Sequence, residues 1–230
     1  EAYQFLREVA SRQEYILFVG TKKQAQAAIK EAAEKAGVFY VNQRWYGGML
    51  TNMQTIRQSI EKMKYYESIV ADGTINKYTK LEQLKMKRMH DKIELYLGGI
   101  RDMDALPSAM FVVDVGHEAI AVHEARILHI PIIAMVDTNC DPDLVDYVIP
   151  ANDDATRAIQ LISDIMANAV LEGKNIATEG EGATLEMPVI GDEFTPEMIE
   201  MVTTPTKDEE EEEEIVTTEE LTETIAQPEA

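Results

Sequence analysis

Asp114, Asp137, Asp141 and Asp143 are the residues of this 230-residue chain with the most obvious chemical use. Asp114 lies near the end of the apolar run AMFVVDV and Asp137 near the end of IPIIAMVDT, and such runs read as buried parallel strands. Open α/β sheets bind ligands at the carboxyl ends of their strands. With Asp141 and Asp143 following in DTNCDPD, clustered carboxylates of this kind can hold Mg²⁺. The same letters suit a plain turn, because Asn and Asp bond their own backbone. No nucleophile or lysine motif completes a phosphotransfer site, so a structural turn is expected, with no catalytic residue, no metal and no cofactor. His117, His123 and His129 recur every six residues, a step that scatters them around a helix. Cys140 has no Cys or His at ligand spacing, which argues against zinc.

The cations suggest different chemistry. VGTKKQ sets Thr21, Lys22 and Lys23 between an apolar strand and a helix, where backbone N–H groups and positive charge can meet a phosphate. An ordinary helix cap, an RNA phosphate contact and a nucleotide cofactor are all open there, although neither the Walker nor the G-x-G-x-x-G spacing is present. Further on, Arg57, Lys62, Lys64, Lys77, Lys80, Lys85, Lys87, Arg88 and Lys92 fall in one stretch. Cations on a rod can follow a phosphate backbone without reading sequence, and a charge run can equally be a solvated face. At the start of that stretch, QRWYGGMLTN joins Arg44 and the sole tryptophan, Trp45, to a double glycine; LGGIR, with Arg101, closes it. Trp45 and Tyr46 can pack this junction or stack on an unpaired base.

Several elements must position these groups. AYQFLREVASR reads as a short amphipathic helix. YILFVG, an Ala-rich helix opened by Thr21 and stopped by Gly37, and VFYV form a βαβ unit. AMFVVDV, HEAIAVHEARILH, IPIIAMVDT, DYVIP and DDATRAIQLISDIMANAVLEG continue the alternation. The pattern predicts an α/β fold, a doubly wound parallel sheet of five strands. Between the second and third strands, Met53, Ile56, Ile60 and Met63, then Met86, Met89, Ile93 and Tyr96, recur at 3-4-3 spacing. This predicts an inserted α-helical coiled-coil hairpin over residues 51–97, reversed at the Asp-Gly of VADGTINKY. Gly47 and Gly48, with Gly98 and Gly99, are expected to hinge it on a sheet domain of residues 1–50 and 98–174. Thr51 or Asn52 is expected to cap its first helix.

Net charge, −21, would exclude a polyanion partner if it were spread evenly. It is not. Residues 175–230 hold 18 acidic residues against Lys207, and the remainder carries only −4. Residues 44–101 hold 11 Lys and Arg against 6 Asp and Glu, a local excess of +5. The segment 175–230, containing DEEEEEE, is expected to be a disordered acidic tail. One cysteine excludes an internal disulfide and suits a reducing, cytoplasmic setting. No apolar run reaches the roughly 20 residues of a membrane-spanning helix, so no membrane partner is expected. The chain begins at Glu1, already inside a helical pattern, so residues upstream are expected.

FVGTKKQAQ, NQRWYGGMLTN and PSAMFVVDVGHEAIAVHEARILHIP, with Pro107, Asp114, Glu118, Glu124, Ile130 and Pro131, resemble the bacterial branch of the small-subunit ribosomal protein two (S-two) family. VDTNCDPDLVDYVIPANDDATRAI extends the likeness, which spans about residues 1–174; Tyr46 departs from the usual Leu. The resemblance implies a flavodoxin-like sheet domain bearing the hairpin, in a non-enzymatic component of the small ribosomal subunit that supports translation in the cytoplasm. It implies ribosomal RNA contacts between head and body, neighbouring small-subunit proteins as partners, and docking of the large mRNA-binding ribosomal protein one. On that reading Lys22, Lys23, Arg44, Trp45, Arg57, Lys62, Lys64, Lys85, Lys87, Arg88, Lys92 and Arg101 are the expected RNA contacts.

Overall fold

The computed structural model describes residues 1–179. Five strands form one parallel sheet: β1 (Ile16–Val19), β2 (Phe39–Val41), β3 (Ala109–Val113), β4 (Ile132–Val136) and β5 (Tyr147–Pro150), in the order β2-β1-β3-β4-β5. Around them lie α1 (Ala2–Ser11), α2 (Gln26–Ala36), α3 (Met53–Ala71), α4 (Lys80–Leu97), α5 (Ala119–Ile127) and α6 (Thr156–Glu179).

Strand side chains alternate between two cores. Ile16, Phe18, Ala109, Phe111, Val113, Ile133 and Met135 face α1, α2 and α6. Leu17, Val19, Met110, Val112, Ile132, Ala134 and Val136 face α5 and the segment 45–63, including Trp45, Met49 and Leu50. The central strands are therefore apolar along their whole length, as a sheet covered on both faces requires. Phe18 and Phe111 meet edge-to-face at 5.1 Å in the first core, each fully buried. Each such side chain removed from water contributes roughly 1.5–3 kcal/mol.

Several expectations shift by a few residues. Gly37 stops α2 with φ 61°, as expected, but α2 starts at Gln26, and Thr21 does not cap it. The backbone N–H of Thr21 is taken instead by Glu118 Oε1 at 2.6 Å. At the other end, α6 runs through Glu179, beyond the expected domain boundary at 174. The remainder of the predicted acidic tail lies outside the described residues.

Two helices, α3 and α4, fill the stretch between β2 and β3 and pack against one another. The chain reverses at Gly73 (φ 75°) and a 3-10 turn, Thr74–Lys77. Thr79 then opens α4 with a capping box: its side chain accepts from Glu82 N, and Glu82 accepts from Thr79 N at 2.9 Å. That reciprocal pair satisfies donors that would otherwise lack partners at the helix start. Ile60 and Met63 are buried as their spacing predicts, while Met53, Ile56, Met86, Ile93 and Tyr96 are half-buried. Met89 is the exception. It is 41% exposed, and His90 turns inward in its place. The inward positions of α4 therefore run Met86, His90, Ile93, and residues four and then three apart share a helix face as well as residues three and then four apart do. Ile69, absent from the predicted repeat, is buried on α3.

The double glycines act differently from one another. Gly48 has φ 90°, a conformation that L side chains rarely adopt. Gly98 is helical, and a Cβ on Gly47 would meet nothing within 4 Å, so neither needs glycine's backbone freedom. At Gly99 the reason is space: a Cβ there would lie 2.2 Å from the Tyr40 carbonyl oxygen. The second pair is a close-packing contact against β2 rather than a freely turning joint.

Candidate nucleic-acid interface and the clamp at its root

The path from β2 into α3 is fixed by Glu124, on the buried face of α5. Its Oε1 accepts from Trp45 Nε1 at 3.1 Å and Gly48 N at 2.6 Å. Its Oε2 accepts from Leu50 N, Thr51 N and Thr51 Oγ1, each at 3.0 Å. Burial pushes this carboxyl up, yet the converging N–H groups of Thr51, Gly48 and Leu50 and the Trp45 indole outweigh it and hold it below its ordinary range. Five hydrogen bonds to one carboxylate thus tie a loop to a helix more than 70 residues away.

Trp45 belongs to this clamp. It is 8% exposed and packs in the core, so its ring is not presented as a platform for a base. Thr51 spends its hydroxyl on Glu124. Asn52 occupies the cap position of α3, but its side chain takes no backbone N–H of the helix; its Oδ1 accepts from the Thr55 hydroxyl instead. Arg44 is exposed, its guanidinium 5.8 Å from the centre of the Tyr46 ring. Tyr46 in turn meets Tyr96 of α4 edge-to-face at 5.4 Å.

At the carboxyl end of the sheet, Lys22 is turned toward carboxylates. Its Nζ lies 3.2 Å from Asp114 and 3.0 Å from Asp153, and it also pairs with Asp154. Burial pulls the lysine down, but bonds to Asp154, Asp153 and Asp114 more than reverse this and raise it. Asp114 is held low despite burial by the His117 N–H and Lys22. Asp153, fully buried, is pushed up by burial, and its Oδ2 has no hydrogen-bond partner. Lys22 is therefore an internal counter-charge, not the phosphate contact expected of it. Lys23 beside it is exposed.

The predicted acidic cluster is also redrawn. Asp141 accepts from Asp143 N at 3.0 Å in a local turn, as the turn reading has it. Asp137, Asp153 and Asp154 instead bring one carboxylate oxygen each within 4.8 Å of one another, and Asp114 does so with Cys140 and Asp153. At this end of the sheet these residues could hold a cation, and the Lys22 ammonium already sits against three of them. Asp153 and Asp154 were the missed members. Their signal in the sequence is the pair NDD just beyond the end of β5.

Along α3 and α4 the cations face outward. Arg57, Lys62, Lys64, Lys85, Lys87, Arg88 and Lys92 are all exposed. Lys64 pairs with Asp102 at 2.9 Å. Arg101 is half-buried and binds Glu67 at 2.9 Å and Glu94 at 3.6 Å, which makes it a tie across the helix pair. Among the described residues, Arg57, Lys62, Lys85, Lys87, Arg88 and Lys92 enter no ion pair. Long ammonium and guanidinium groups left in water in this way can meet phosphates without first breaking an internal contact.

Fold and surface together define a scaffold that presents charge: a sheet whose strand-end carboxylates Asp114, Asp153 and Asp154 gather on one internal lysine, and a helix pair carrying unpaired cations. The ribosomal protein S2 family model matches residues 1–173, and the chain belongs to that family. The small ribosomal subunit protein uS2 of Geotalea uraniireducens (strain Rf4) is 54% identical over 187 residues, which cover 79% of this chain and 73% of that protein. The protein is accordingly a structural, non-enzymatic protein of the small ribosomal subunit, working in translation in the cytoplasm. No described helix is long and apolar enough to cross a membrane.

Proposed function

We propose that α3 and α4 form a coiled-coil arm on a flavodoxin-like sheet domain, and that the arm lies along ribosomal RNA phosphates between the head and body of the small subunit. Residues 51–97 are the arm, and residues 1–50 and 98–179 the domain that carries it. The observation behind this reading is the set of six exposed cations, Arg57, Lys62, Lys85, Lys87, Arg88 and Lys92, that enter no ion pair among the described residues. Lys23 and Arg44 are exposed near the root and extend the surface; Lys64 joins it beside its partner Asp102. Contacts of this type fix orientation and supply salt-dependent affinity rather than sequence readout. The same subunit position brings the chain beside neighbouring small-subunit proteins, and we assign to it the docking of the mRNA-binding ribosomal protein one, as its family resemblance implies.

The test is a salt titration of binding to small-subunit ribosomal RNA fragments. Each phosphate contact adds about 0.7–0.9 to the slope of log affinity against log salt. Replacing Lys85, Lys87 and Arg88 by Ala should therefore lower the slope by roughly 2 and weaken incorporation into small subunits. An unchanged slope with a folded variant would remove the arm from the RNA surface.

A further inference from the structure

We propose that His90 is a pH-sensitive clasp of the helix pair, holding α4 to α3 as an imidazolium and releasing it when the ring loses a proton. Both ring nitrogens face carboxylates. Nε2 lies 3.2 Å from Glu67 Oε1 across the interface on α3, and Nδ1 lies 3.2 Å from Asp91 Oδ1 on α4. An ionised carboxylate can only accept hydrogen bonds, and a neutral imidazole has a single N–H. With a neutral ring, one of these contacts would set two acceptors against each other. Only the doubly protonated ring donates to both.

The groups around the ring reinforce that state. Tyr66 of α3 lies beside it, with ring centroids 5.1 Å apart. Glu94 of α4 places a carboxylate oxygen within 4.8 Å of a carboxylate oxygen of Glu67 and a ring nitrogen of His90. Arg101 is the cation of the cluster; it binds Glu67 Oε2 at 2.9 Å and Glu94 at 3.6 Å, which leaves Glu67 Oε1 for the histidine. Four carboxylates, Glu67, Asp91, Glu94 and Asp102, thus surround one imidazole and one guanidinium; Asp102 lies 3.9 Å from Arg101 and is shared with Lys64. The bond to His90 holds Glu67 below its ordinary range, with Arg101 adding to the effect, so the acceptor stays ionised as the histidine titrates. Burial pulls His90 down, and the bonds to Asp91 and Glu67 more than offset it, raising the ring above its ordinary value.

The position carries the consequence. Where the repeat calls for the apolar Met89, the helix turns in a group whose grip depends on protonation. A raised folded-state value means the clasp is at full strength below the unfolded value of about 6.5 and is lost as pH rises through the higher folded value. The helix pair is tightest on the acid side of that window and loosens on the alkaline side.

The experiment is an NMR titration of the full chain, with His90 assigned by its absence in His90→Gln. The expected His90 midpoint lies above 6.5, and Glu67→Gln lowers it; Asp91→Asn, at an exposed site, repeats the test from the other nitrogen. Amide exchange over 63–71 and 86–93, corrected for the intrinsic pH dependence, should show protection falling through that midpoint in the wild type and no such step in His90→Gln. A midpoint at or below 6.5, a midpoint unmoved by both carboxylate substitutions, or an exchange step that persists in His90→Gln would each overturn the clasp.

Discussion

Replacing Glu124 with Ala tests the clamp at the root of the helix pair. The substitution removes an acceptor from five donors. Those of Gly48 and Thr51 lie in part-buried bonds and can turn to water, whereas the Trp45 indole and the Leu50 N–H are in buried bonds and cannot. An unsatisfied buried donor costs about 1–3 kcal/mol, so the two together predict a loss of roughly 2–6 kcal/mol. That is a large part of the 5–15 kcal/mol typical of a folded domain. Urea unfolding of the full chain measures it, and the protein supplies its own probe, because Trp45 is the single tryptophan. Loosening of the clamp should shift Trp45 emission to the red in the variant before global unfolding. Glu124→Gln should fall between, since one oxygen remains and an amide donor now faces N–H groups. The depressed carboxyl fixes the pH dependence: the clamp is at full strength above the unfolded value of about 4.3 and is lost as pH falls through its lower folded value. A Glu124→Ala protein within 0.5 kcal/mol of wild type, with unshifted Trp45 emission, would refute this account of the root.

Two further substitutions probe the packing around it. Lys22→Met leaves Asp114 and the fully buried Asp153 without their cation; removing one partner of a buried pair costs about 3–5 kcal/mol, seen as a lower thermal midpoint. RNA affinity of the folded fraction should not change, and a loss confined to RNA binding would restore Lys22 as a phosphate contact. Gly99→Ala forces a Cβ against the Tyr40 carbonyl and should destabilise by roughly 1–3 kcal/mol in denaturant unfolding. A neutral result there would mean the junction with β2 is free to shift.

Apolar runs announced the sheet well, because a parallel strand buried on both faces leaves little choice of residue: ILFV, AMFVV and IIAMV are strands almost letter for letter. Gly37 and the Asp-Gly at 72–73 marked their turns through local backbone requirements that a short window of sequence contains. What stayed hidden depends on partners distant in the chain. Glu124 looks like an ordinary helical glutamate until loop 45–51 is folded over it. Lys22 looks ready for a phosphate until the ends of β3 and β5 deliver Asp114, Asp153 and Asp154. The choice between Met89 and His90 as the inward residue turns on a rotation of one position, which spacing counts do not resolve. The basic face was legible as composition, but only the fold separated Arg101 and Lys22, which hold the molecule together, from the cations left in water.

The place of the helix pair in the connectivity also bears on how the chain folds. β3 must find β1, although α3 and α4 lie between β2 and β3 in sequence. Zipping the two helices first brings residues near 52 and 98 close together using mainly neighbouring contacts. The loop left to close between β1 and β3 is then roughly half as long, which is worth about 0.6 kcal/mol in closure entropy. Helix pairs form from local contacts faster than distant strands meet. The segment read as an RNA-binding arm would then also serve the nascent chain as a temporary splint, shortening the search by which the central strands become neighbours.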